Sequence, residues 1–156
     1  MSRIRTRIWP DWKMRPGEPE TEWHLRILLQ ELQSLASDAE TLIRAWPPML
    51  PAADETVADF DVHLELAKRA VDEGLITLEM WEKARAVDAK ISEMGDLHDP
   101  SLWTDRGLRT RSEWTEVRNL AKEALAAMEY GLEPPPPWWR AGFHFRTIPS
   151  DSKGES

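Results

Sequence analysis

The feature that most constrains this chain is a stripe of apolar residues at alternating three- and four-residue steps. From Leu25 it runs through Leu28, Leu32, Leu35, Ala39 and Leu42 to Trp46. An α-helix brings such a series onto one face, so the stripe predicts a single long amphipathic helix, unbroken over three heptads. Glu18, Glu20 and Glu22 suit its positive N-terminal end. Pro47-Pro48 ends it, because proline has no N–H to donate and restricts the residue before it.

Three more segments follow the same logic. A second stripe, Val57, Phe60, Leu64, Ala67 and Val71, closes at Gly74, where a left-handed residue can end a helix. Thr77 is the expected N-cap of a third helix that buries Met80, Ala84, Val87, Ile91 and Met94 before Gly95. The few residues between the second and third helices favour an antiparallel hairpin. Residues 95–109 read as one long connection, with a single helical turn at Asp99-Pro100-Ser101-Leu102-Trp103, capped by Asp99. The last helix is expected to open on a capping box, Thr110-Arg111-Ser112-Glu113, to bury Trp114, Val117, Ala121, Ala124 and Met128, and to stop at Gly131.

Four helices with one apolar stripe each can cover those stripes only against one another. The expected fold is therefore mainly α, an antiparallel bundle of about four helices over residues 20–131, with extended or short β-strand arms at both termini. Residues 1–19 form a basic arm rich in Trp and Pro, in which Arg3-Ile4-Arg5-Thr6-Arg7-Ile8-Trp9 alternates charged and apolar side chains. Residues 132–156 form a second arm, with four prolines at 134–137, a similar alternation over Phe143–Ile148 and a polar tail expected to be disordered from Ser150. A two-stranded ribbon is marginal alone, so such arms need a surface or a partner.

Charge is unevenly placed within the net −8. Residues 1–16 carry five basic side chains and one acidic, whereas residues 17–101 carry seven basic and nineteen acidic. A basic arm on an acidic body can fold back on that body or reach an acidic surface elsewhere. The acidic body opposes phosphate binding, leaving only Arg3, Arg5, Arg7, Lys13 and Arg15 to engage nucleic acid, with Arg106, Arg109 and Arg111 as a second small cluster. Direct nucleic-acid binding is therefore not expected. No cysteine is present, which excludes a disulfide scaffold and thiolate metal sites and suits a reducing compartment. The N-terminus lacks the apolar stretch of a secretory signal, and no apolar run approaches the roughly 20 residues of a membrane helix. A cytoplasmic protein with no membrane contact is the expectation.

Motifs for chemistry are sparse. The Glu-x-x-His spacing of carboxylate-bridged metal bundles is absent, since Thr21, Phe60, Gly95 and Ala141 stand three residues before the four histidines. Asp59 with His63, and Asp96 with His98 and Asp99, are spaced so that they could share a metal, but each reads more simply as exposed neighbours. No nucleophile elbow, Gly-rich phosphate loop or Gly-Lys-Ser/Thr step occurs. We therefore expect no catalytic residues, no metal and no cofactor.

Tryptophan is the outstanding composition. Of nine, Trp9, Trp12, Trp138 and Trp139 fall in the proline-rich ends rather than in the stripes. Tryptophan anchors interfaces because it covers a large area at little cost in rotamer entropy. The partner-binding residues expected are these four with Arg3, Arg5 and Arg7, and the expected function is a non-enzymatic interaction or assembly subunit whose arms dock on other copies or on a protein partner. The alternatives are an acidic helical inhibitor occupying a basic, nucleic-acid-binding site on another protein, and a helical enzyme whose groups converge without a linear motif.

Overall fold

Capping and proline placement set the helix boundaries. The computed structural model describes residues 13–135 and 137. Among them the elements are α1 (Glu20–Ala36), α2 (Ala39–Arg44), α3 (Ala52–Ala67), α4 (Arg69–Asp72), α5 (Leu78–Asp96), a 3₁₀ turn (Pro100–Trp103), α6 (Asp105–Thr110) and α7 (Ser112–Ala127). The described chain is mainly α, and no strand occurs in it. No helix among the described residues is long and apolar enough to cross a membrane. The alternating segments at 3–9 and 143–148, expected as strands, lie outside the described residues.

Apolar periodicity carries through to packing. α1 lies against α3 on one side and α7 on the other, and α5 packs on α7. Leu28 and Leu32 of α1, Phe60 of α3, Val87 and Met94 of α5, and Val117 and Leu125 of α7 are fully buried between them. Thr77 caps α5 by accepting from the Met80 N–H at 3.1 Å. Asp99 caps the 3₁₀ turn by accepting from the Ser101 N–H at 3.0 Å. Gly74, at φ +77, takes the left-handed conformation expected of it.

Several local expectations are corrected. The stripe from Leu25 to Trp46 is not one helix. Ser37 and Asp38 are extended, the Ser37 hydroxyl donates to the Ser34 carbonyl, and the Asp38 carboxylate accepts from the Thr41 N–H at 2.8 Å, so a side-chain cap ends one helix and starts the next. The second stripe is not one helix either, because it divides at Lys68 into α3 and α4. The Thr110–Glu113 capping box does not form, because Thr110 ends α6 and its hydroxyl donates to the Arg106 carbonyl. The connection before α7 contains that additional helix, capped by Thr104, which accepts from the Gly107 N–H at 2.9 Å. Neither Gly95 nor Gly131 is a helix stop: the left-handed residues after α5 and α7 are His98 (φ 51) and Glu129 (φ 56).

Tryptophans of the body tie elements together. Trp46 donates to the buried Thr56 hydroxyl at 2.7 Å, joining the end of α2 to α3. Trp81, rather than the half-buried Met80 beside it, is the core residue at the start of α5; it donates to the Leu64 carbonyl at 3.3 Å and carries Lys68 and Arg85 over its ring. Trp114 donates to the Leu102 carbonyl at 2.7 Å and meets Trp103 edge to face.

Gly107 is required by close approach. A Cβ there would collide with the Ser101 carbonyl oxygen and lie 2.7 Å from that of Leu102. Gly107→Ala would ordinarily favour an α-helix by about 1 kcal/mol. Here we expect destabilisation by about 1–3 kcal/mol, read as a lower denaturation midpoint, because the obstructing atoms are backbone.

Candidate functional site

The expected contact residues, Trp9, Trp12, Trp138, Trp139, Arg3, Arg5 and Arg7, lie outside the described residues. The described residues next to the two expected arms, at Lys13 and at Gly131, are both held by α1.

At the N-terminal side, Pro16 and Gly17 (φ +78) form a tight turn closed by the Glu18 N–H donating to the Arg15 carbonyl at 2.9 Å. Glu18 stands ahead of α1, where Pro19 is the N-cap, so it meets a side chain rather than the helix end. Arg26 donates to both Glu18 carboxylate oxygens at 2.9 and 2.8 Å, and again to the Lys13 carbonyl at 2.8 Å. This two-pronged pairing, with both side chains largely covered, brings the Glu18 carboxyl down to about 2.

At the C-terminal side, the Tyr130 N–H donates to the Leu125 carbonyl and reverses the chain after α7. The buried Gln33 then donates its side-chain N–H to the Gly131 carbonyl at 2.8 Å. Glu133, Pro134, Pro135 and Pro137 continue along a cleft of about 520 Å³ whose other wall includes Ser34, Ser37, Thr41 and Arg44. Arg26 and Gln33 are seven residues apart, two helical turns, so they share one face of α1 about 10 Å apart. The linear pattern alone did not reveal this. A polar Gln33 beside Leu32 inside an apolar stripe was the available signal.

A second polar cluster lies on the side of α1 that meets α3. His63 Nδ1 is 2.9 Å from Glu31 Oε2 and 2.9 Å from the Asp59 main-chain carbonyl. A carbonyl can only accept, so Nδ1 carries the hydrogen and donates. Asp59 and His63, considered as a ligand pair from their spacing, thus meet through main chain, and no group of three or more His, Asp or Glu side chains arranged to hold a metal occurs among the described residues. His24 is buried with its ring centroid 6.3 Å from that of His63; its Nε2 lies 3.4 Å from Glu20. His24 Nδ1 and Glu31 Oε1 are buried with no hydrogen-bond partner. Burial pushes the Glu31 carboxyl up to about 7, against the pull of His63. Burial also opposes charge on His63, but its hydrogen bond and ion pair with Glu31 outweigh it and the imidazole is raised.

Charges elsewhere are mostly internal. Arg109 pairs with Glu40, and Arg111 with Asp99 and Glu113, so two of the three arginines of that basic cluster are engaged within the chain. Asp88 of α5 is raised by desolvation and by Asp61 and Glu65 of α3, an acidic crowding partly relieved by Arg85.

Comparison with protein-family models, curated proteins and solved structures finds no match to the chain.

The N-terminal anchor is directly testable. Arg26→Met keeps the apolar stem and removes the charged fork, costing the docked segment about 1–3 kcal/mol. Tryptic cleavage after Lys13 should accelerate about tenfold or more, with little change in the melting temperature of the body. An unchanged cleavage rate would show that Arg26 does not hold the segment.

Proposed function

We propose that this chain is a non-enzymatic, cytoplasmic interaction or assembly subunit: an acidic antiparallel bundle, built chiefly from α1, α3, α5 and α7, that presents two aromatic, proline-rich arms as one docking element. The observation that supports this reading is the shared face of α1. Arg26 fixes the inner end of one arm and Gln33 that of the other, two turns apart. Arms rooted side by side can act on one partner surface at once, and two short alternating segments brought together can pair as a ribbon that neither forms alone. In this reading Trp9, Trp12, Trp138 and Trp139 are the anchors, and Arg3, Arg5 and Arg7 orient them on an acidic surface, which a second copy of this body supplies. The five tryptophans within the body leave the assignment of these four unaffected: Trp46, Trp81 and Trp114 each donate to a neighbouring element.

One observation favours a second reading, in which the body itself occupies a basic site on another protein. Asp88 of α5 is raised by desolvation and then by Asp61 and Glu65 of α3, and a cationic partner would relieve the repulsion from those two carboxylates. Salt separates the two readings, because charge-driven binding weakens steeply between low and moderate ionic strength whereas tryptophan docking persists.

Replacing Trp9, Trp12, Trp138 and Trp139 together by Ala in the full chain tests the leading reading. Hot-spot tryptophans contribute about 2 kcal/mol or more each on truncation, so association should weaken by at least about 100-fold. We expect sedimentation velocity to report loss of self-association or partner binding, with an unchanged melting temperature. A collapsed melting temperature with unaltered association would make these rings part of the protein's own core and overturn the proposal.

A further inference from the structure

The His24–Glu31–His63 cluster is separate from the contacts that Arg26 and Gln33 make with the flanking segments. It places three titratable side chains in the α1–α3 contact, one layer from the fully buried Leu28 and Leu32. Burying a polar atom without a partner costs about 1–3 kcal/mol, yet two occur together here, His24 Nδ1 and Glu31 Oε1. An apolar pair at these positions would pack α1 on α3 without that cost.

We propose that this cluster is a proton-operated latch: an added proton holds α1 against α3, and its loss loosens the contact. The geometry supplies the mechanism. Asp59 main chain fixes the hydrogen on His63 Nδ1, so Glu31 Oε2 faces a donor in either charge state of the ring. What changes with pH is charge. With a proton on Glu31, or with His63 as imidazolium beside the Glu31 carboxylate, no uncompensated negative charge is buried. When that proton leaves, Glu31 is an ionised carboxylate at 14% side-chain exposure, with one oxygen unpartnered and a neutral ring beside the other.

Among the described residues, the groups around the pair do not provide another countercharge. On α1, Glu20 faces His24. On α3, Asp59 lies next to the pair with Glu55 beyond it, and its carboxyl is itself raised by burial. Just after α4, Glu73 accepts from the Thr21 hydroxyl at 2.9 Å and lies near Arg69. From α7, Arg118 reaches α1 at the Ser37 carbonyl rather than at the cluster.

Linkage gives the direction of the effect. Glu31 and His63 are both raised in the native state, from 4.5 to about 7 and upward from 6.5 respectively. The folded protein therefore holds more protons than the unfolded chain from about pH 4.5 through neutrality, and its stability falls as pH rises across that window. Carboxylates held low, such as Glu18 and Asp99, lose their contribution only on the acid side of that window. Since α1 carries the roots of both arms, loosening it from α3 would change how the arms are presented.

The test uses the full chain and protons as the only ligand. Chemical denaturation at constant ionic strength should show a folding equilibrium constant that falls on the order of 10²-fold between pH 5 and pH 8. Glu31→Gln, which cannot ionise, should flatten that slope, and the carboxyl carbon resonance of Glu31 in the unsubstituted protein should titrate near pH 7. Stability that is constant or rises over the same range, a Glu31→Gln slope equal to that of the parent, or a Glu31 resonance titrating near pH 4.5 would overturn the proposal. The resonance decides the matter even if the substituted chain does not fold.

Discussion

Burial of α1 between α3 and α7 supports the rest of the described structure, because this one helix is engaged on several faces. Leu28, Leu32 and Leu35 point into the core, where each leucine contributes about 1.5–3 kcal/mol by leaving water. His24 and Glu31 turn to α3, and Thr21 to the end of α4. Arg26 and Gln33 hold the inner ends of the two terminal segments. A helix committed on so many sides cannot shift toward one neighbour without disturbing the others, so the described segments at Lys13 and Gly131 and the His63 contact share a mechanical base.

The distribution of polar contacts follows from this division. Buried donors at Trp46, Trp81 and Trp114 each find an acceptor on another element, as a stable interior requires. The cluster around Glu31 departs from that rule. Two of the three buried side-chain atoms without a partner among the described residues fall in this one cluster, the third being Glu113 Oε1, and such a concentration is the kind of feature that stability alone does not select. The acidic outer surface adds a different tendency: Asp61 and Glu65 already disfavour charge on Asp88, so further negative charge is disfavoured nearby.

Legibility in the sequence divided along physical lines. Periodicity located one buried row on each main helix, since core burial repeats with the helical turn, but it chose the half-buried Met80 over Trp81 and passed over Ile27, Leu29 and Leu125; Thr77 and Asp99 announced their caps by residue type and position. The break at Ser37-Asp38 escaped the stripe analysis because Ala39 and Leu42 stay in register across it while the chain leaves helical geometry. Thr110 misled because Thr104, six residues earlier, took the capping role for an additional helix. The contacts of Arg26 and Gln33 link residues brought together only by the fold: Gln33 and Gly131 are 98 positions apart, and local pattern carries no information at that range. The Glu31–His63 pair likewise joins two helices whose individual sequences look ordinary.

The central claim, that α1 gathers the described segments flanking the body, at Lys13 and at Gly131, on one face, can be measured without any partner. The chain contains no cysteine, so Met14→Cys and Leu132→Cys provide unique, solvent-exposed attachment points for a pair of spin labels next to the residues that Arg26 and Gln33 hold. Gathered ends predict strong dipolar broadening in the doubly labelled protein, in keeping with anchors about 10 Å apart along the helix. Loss of that broadening on Arg26→Met would tie it to the anchor. A doubly labelled spectrum equal to the sum of the two singly labelled ones would contradict the claim.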